Sequence, residues 1–128
     1  MELTANAVQV VAADQNVLFT DTAVKGNCSI LHRDGSGLVT LRGITDQCRA
    51  RYKISFSANV AIPTGGTVGP ISLAIAINGE GVGPATMIST PAAVETYNNV
   101  ATGLFIDVPV TCCSTISVVN LTDGDISV

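Results

Sequence analysis

The sequence predicts an all-β chain, built as a two-sheet antiparallel β-sandwich of the jelly-roll type. Three observations predict it. In 52–62, Tyr52, Ile54, Phe56, Ala58, Val60 and Ile62 alternate with Lys53, Ser55, Ser57, Asn59 and Ala61, the period-two pattern of a strand with one face inward. In 71–78, Ile71, Leu73, Ile75 and Ile77 alternate with Ser72, Ala74, Ala76 and Asn78. No stretch of comparable length repeats at helical spacing, and four of the five prolines and most glycines fall between the alternating runs, as turns between short strands require.

Taken in order, residues 1–9 form a short polar arm without a Gly-X-Y repeat or a heptad, so these residues supply neither a collagen stalk nor a coiled coil. Short strands follow over 10–13, 16–20, 28–32 and 38–42, the last two separated by the turn Arg33-Asp34-Gly35-Ser36-Gly37. The long central strand spans 51–62 and ends at Pro63-Thr64-Gly65-Gly66. Gly69-Pro70 leads into the strand at Ile71, and Asn78-Gly79 closes a hairpin. Gly81-Val82-Gly83-Pro84 reads as a loop before a strand over 86–90, while 91–95 suits either one helical turn or a strand edge. Strands over 104–110, 114–120 and 125–128 complete the set.

At 128 residues the chain is long enough for one domain with a sizeable core. We divide it into the arm, 1–9, and a jelly-roll domain, 10–128. Apolar residues make up 47% and charged residues only 12%, yet no apolar run approaches the roughly 18 residues of a membrane helix. That much apolar surface, spread over strands, predicts a homo-oligomer sharing its faces. The row Ser72, Ala74, Ala76 fits this expectation, because tiny side chains let another surface approach closely. All six basic residues lie between Lys25 and Lys53; against five acids they give the first 53 residues +1, and the remainder carries −5. A nucleic-acid groove needs more positive charge than this.

The first residues, Met-Glu-Leu-Thr, lack the basic and apolar regions of a secretory signal, which predicts folding in a cytoplasm. Cys28, Cys48, Cys112 and Cys113 then act as small hydrophobes rather than disulfide partners, and the single histidine, His32, gives no zinc spacing. Asn27-Cys28-Ser29 and Asn120-Leu121-Thr122 match the glycosylation sequon, a pattern short enough to arise by chance. His32 with Asp34 and a serine is the nearest approach to a catalytic triad, and a lone histidine beside a turn is ordinarily structural, so no enzyme is expected. No cofactor is expected either; Asp34, Asp46, Asp123 and Asp125 lie in loops and are the oxygen ligands open to calcium, with Asp123-Gly124-Asp125 the best local set. Tyr97, between Glu95 and the pair Asn98-Asn99, is the one aromatic placed to meet a glycan.

Several stretches carry a resemblance. Asn16-Val17-Leu18-Phe19-Thr20-Asp21, Ile30-Leu31-His32-Arg33-Asp34-Gly35-Ser36-Gly37, Val39-Thr40-Leu41-Arg42-Gly43, Ala50-Arg51-Tyr52 and Ile75-Ala76-Ile77-Asn78-Gly79-Glu80 look like a family of small proteins encoded by bacteriophages and prophages of gut Gram-positive bacteria. Thr90-Pro91-Ala92-Ala93, Asp107-Val108-Pro109, Cys112-Cys113 and Ile116-Ser117-Val118 extend it over nearly the whole chain. These proteins are similar to tumour necrosis factor-like and complement-type globular heads, and to the terminal domains of collagen-like spore-surface glycoproteins. The resemblance implies a jelly roll assembled as a homotrimer, with Ser72, Ala74, Ala76 and Tyr52 at the trimer interface.

The expected function is that of a non-enzymatic virion protein, a head decoration or cement protein on the capsid exterior. Its partners would be two further copies and the phage major capsid protein, which the arm residues Met1, Glu2, Leu3 and Thr4 would reach; neither nucleic acid nor membrane is involved. The alternative is a receptor-binding or adhesin head of a phage fibre, or of a bacterial surface or spore protein, recognising a host-surface glycan.

Overall fold

The computed structural model describes residues 1–5, 7–24, 30–42, 49–109, 113–122 and 124–128. The described part is all-β, with antiparallel pairing throughout. Eleven strands are described: β1 (Glu2–Thr4), β2 (Val10–Val11), β3 (Asp21–Val24), β4 (Ile30–His32), β5 (Val39–Arg42), β6 (Arg49–Val60), β7 (Ile71–Ile77), β8 (Glu80–Ser89), β9 (Asn98–Pro109), β10 (Cys113–Asn120) and β11 (Ile126–Ser127).

They form two layers and a small flap. One layer is the five-stranded sheet β4-β5-β10-β7-β8. In the other, β6 pairs along its whole length with β9, from Arg49 opposite Pro109 to Val60 opposite Asn98. Just past β6, Ala61 exchanges both backbone hydrogen bonds with Ser127 at 3.0 and 2.9 Å, and β11 pairs with β2, giving the order β2-β11-β6-β9. The flap is the pair β1-β3, so the expected arm is not wholly free: Glu2–Thr4 is a strand laid on Asp21–Val24.

The inward positions of the two layers make one core. Leu73 and Ile75 of β7, Ile116 and Val118 of β10, Val60 of β6, and Val100, Ile106 and Val108 of β9 belong to a single buried cluster. The alternation in the sequence places them there, since strand side chains alternate between faces. Tyr52 joins the layers through a hydroxyl that donates to the Arg42 carbonyl at 2.6 Å. We expect Tyr52→Phe to cost about 1 kcal/mol, the net worth of one such bond, read from urea unfolding; an unchanged midpoint would show that the bond does not contribute.

Turn chemistry follows the sequence closely at 78–79. Asn78 and Gly79 both have positive φ, 53° and 85°, the two left-handed residues of a type I′ hairpin turn. Segment 91–95 is a turn without helix or strand. The expected loop at 81–84 is instead the first half of β8, an edge strand that tolerates Pro84 because its register slips between Ala74 and Ala76 of β7. Gly37 marks a close approach. A Cβ there would lie 2.8 Å from both the Asn16 Cβ and the Val17 carbonyl oxygen, so Gly37→Ala must push β-segment 16–17 away from its bond to Val118. Overpacking of this kind costs about 1–3 kcal/mol, and a thermal midpoint equal to wild type would refute it.

Candidate functional site

Among the described residues, the candidates for chemistry do not come together in one place. His32 is buried at the end of β4, edge-on to Phe19. Its Nε2 donates to the Ser36 carbonyl oxygen at 3.0 Å, while the Ser36 hydroxyl accepts from the Leu38 amide. Nδ1 lies 3.8 Å from Asp34 Oδ1, beyond hydrogen-bonding distance, and that carboxylate is engaged by the Thr22 hydroxyl at 2.8 Å. The ring therefore braces the turn 33–36, and among the described residues no serine hydroxyl hydrogen-bonds to either ring nitrogen. Asp46 and Asp123 lie outside the described residues, as do Cys28, Cys48 and Cys112. Among the described residues no three His, Cys, Asp or Glu side chains come together as metal ligands, and Asp125 is not joined there by Asp34.

An open cleft of about 550 Å³ lies between the turn 62–70 and Thr122, Gly124 and Asp125. Glu95 holds its wall: Oε1 accepts from the Thr64 amide and hydroxyl, both at 2.9 Å. The described lining is mainly backbone and small or apolar side chains, and Asp125 is the charged residue among those described. Tyr97 is 42% exposed beside β9, as a glycan contact would require.

The four residues expected at a trimer interface separate. Tyr52 points inward from β6, whereas Ser72, Ala74 and Ala76 lie on the outer face of β7. Ala74 and Ala76 are already buried in the single chain. Gly81 stands against Ala74, with Leu121 beside it, and Thr122 bonds Ser72 through its hydroxyl at 2.9 Å. Small side chains do admit a close surface here, and part of that surface is the chain itself. Of the arm residues, Leu3 pairs with Thr22 and Thr4 with Asp21, while Met1 is exposed.

A different face stands open. On the outside of β6 and β9, Arg51 bonds Asp107 at 2.9 and 3.3 Å, Lys53 lies 6.0 Å over the Phe105 ring, and the cross-strand pairs Ser55–Gly103, Ser57–Ala101 and Asn59–Asn99 continue the strip. The hydrogen bond to Asp107, then its charge, raises the Arg51 pKa. Arginine is charged at every working pH with or without a partner, so the pair fixes the side chain's position rather than its charge state. Phe105 is 66% exposed. The sequence signal for it is a large aromatic at a position where its strand otherwise alternates to polar or small residues. No protein-family model and no curated protein matches the chain.

Proposed function

We propose that this protein is a non-enzymatic structural component of a phage particle, a self-associating jelly roll that decorates the capsid exterior. The observation that carries self-association is the outer face of β6 and β9, where Phe105 stands 66% exposed with Lys53 over its ring and small residues along the rest of the strip. Burying a phenylalanine is worth about 1.5–3 kcal/mol, and a cyclic trimer would bury three at one axis. The chain path supports the jelly roll: after β5 it passes to β6 in the second layer, returns for β7 and β8, crosses to β9, returns for β10 and crosses to β11. The phage setting rests on the resemblance of the motifs named above. In this reading Met1 to Thr4 faces the capsid protein, and the domain trimerises above it.

Light scattering tests the assembly and co-sedimentation with phage heads tests the setting. We expect a mass three times the 13.1 kDa chain and retention on heads, with Phe105→Glu dropping the mass toward one chain without loss of strand signal by circular dichroism. A wild-type single chain that never travels with heads would overturn the proposal. A trimer that ignores heads but binds a glycan array through Tyr97 would favour the adhesin reading instead.

A further inference from the structure

Asn78 is tied to β10 twice. Its backbone amide donates to the Thr115 carbonyl at 2.9 Å, and its side-chain Oδ1 accepts from the Thr115 amide at 3.0 Å. A residue in an extended strand makes the second bond with its own carbonyl. Here the left-handed turn rotates that carbonyl away, and the carboxamide takes its place on β10. Gly79 is the opposite case. Its amide makes no hydrogen bond among the described residues, it is exposed, and a Cβ there would meet nothing within 4 Å. Of the eight asparagines, only Asn78 precedes a glycine. A thermolabile carboxamide is therefore followed by a nitrogen that no side chain shields.

We propose that Asn78 is a self-modification site, held latent by the Thr115 amide. In the reaction the Gly79 nitrogen bonds to Asn78 Cγ and gives up its proton, the Cγ–Nδ2 bond breaks, and Nδ2 leaves as ammonia. The cyclic imide so formed takes up one water at either carbonyl, giving aspartate or isoaspartate. Attack needs the nitrogen about 3–3.5 Å from Cγ and aligned over the carboxamide face. β7 lies between β10 and β8, so the clamp draws the carboxamide toward one neighbour while Gly79 turns the chain toward the other. The end of the hairpin must open before the two groups meet, and the modification rate follows that opening.

The two products differ in what they do to the turn. Aspartate keeps an oxygen for the Thr115 amide, in a bond now charge-assisted, and Asp-Gly suits the same turn. Isoaspartate carries the main chain through Cβ and Cγ, which adds a methylene to the turn, so the pairs Ile77–Glu80 and Ala76–Gly81 beyond it lose their register. The modification thus leaves a permanent record of hairpin opening at the start of β8. It depends neither on the phage setting nor on self-association.

The test incubates the intact chain folded in buffer and unfolded in urea, at the same mildly alkaline pH and temperature. Conversion of each asparagine is followed by peptide mass mapping, and isoaspartate is read by isoaspartyl methyltransferase labelling. In urea Asn78 is expected to convert fastest of the eight asparagines, and in the folded chain at least about tenfold more slowly. Equal rates in the two states would overturn the clamp, and faster conversion of another asparagine in urea would overturn the site. Hydrogen exchange at the Thr115 amide tests the clamp separately. Asn78→Gly keeps a turn of two glycines and removes the acceptor, so with an unchanged strand signal by circular dichroism this amide is expected to exchange at least about tenfold faster. Asn78→Asp is expected to keep it protected. An unchanged Thr115 rate in Asn78→Gly would show that the side chain does not hold the turn, and would overturn the proposal.

Discussion

Asn120→Leu should unfold at a urea concentration corresponding to a loss of about 3–5 kcal/mol, among the largest effects of any single change to a polar residue in this chain. Asn120 is fully buried and its amide is completely satisfied. Nδ2 donates to the carbonyls of Val11 at 3.0 Å, Ala12 at 3.2 Å and Gly124 at 3.0 Å, and Oδ1 accepts from the Thr122 amide at 2.9 Å. Its backbone adds bonds to Asp14 and Gln15. Leucine keeps the volume, removes the side-chain donor from the Val11, Ala12 and Gly124 carbonyls, of which Ala12 retains the Gln15 amide, and leaves the Thr122 amide without its acceptor; each unmet buried group costs about 1–3 kcal/mol. Set against a total stability of about 5–15 kcal/mol, that threatens the fold itself. Exchange at Ser127 and Val128 should rise first, because Asn120 ties the Gly124 carbonyl before β11 to Val11 and Ala12 at β2. A loss below about 1 kcal/mol would show that water replaces the network. The same burial disposes of the sequon at Asn120: an amide nitrogen bonded to three carbonyls in the interior is not a glycan acceptor in the folded chain.

Leu73→Ala should cost about 3–5 kcal/mol, the range for a leucine removed from a close-packed site. Leu73 is fully buried at the middle of β7, with Asn120 opposite on β10 and Met87 opposite on β8. It packs in the cluster shared by both layers, so neither layer can collapse into the space without moving the other. Leu73→Met, which conserves volume, should stay within about 1.5 kcal/mol, and finding both variants equally stable would refute the cavity argument. Because Leu73 and Asn120 are directly paired, Leu73→Ala with Asn120→Leu should depart from additivity; independent sites would add within about 0.5 kcal/mol.

How much of this is legible in the sequence depends on where the stabilising contacts lie. β7, β10 and the Asn78-Gly79 turn are readable because alternation and turn chemistry are local, and the structure places them within a residue of the reading. β1 and β3 are missed: Glu2–Thr4 and Asp21–Val24 show no apolar alternation and exist because they pair with each other. The first halves of β8 and β9 are missed for a related reason. Gly81, Gly83, Pro84, Asn98 and Asn99 are poor strand formers held by long neighbours, β7 and β6. At the candidate surfaces, Phe105 breaks its own pattern and is visible in sequence. The burial of Ala74 and Ala76 is not, because it comes from Gly81 and Leu121 folding back.

Pro84 in β8 has a consequence for how the protein behaves when crowded. β8 closes one rim of the five-stranded sheet, and a residue with no amide hydrogen, set in a stretch of slipped register, makes that rim a poor seed for stacking chain upon chain. Runaway polymerisation into fibrils needs two adhesive borders on each unit, so a border blunted by a proline does not pass the pairing on to the next molecule.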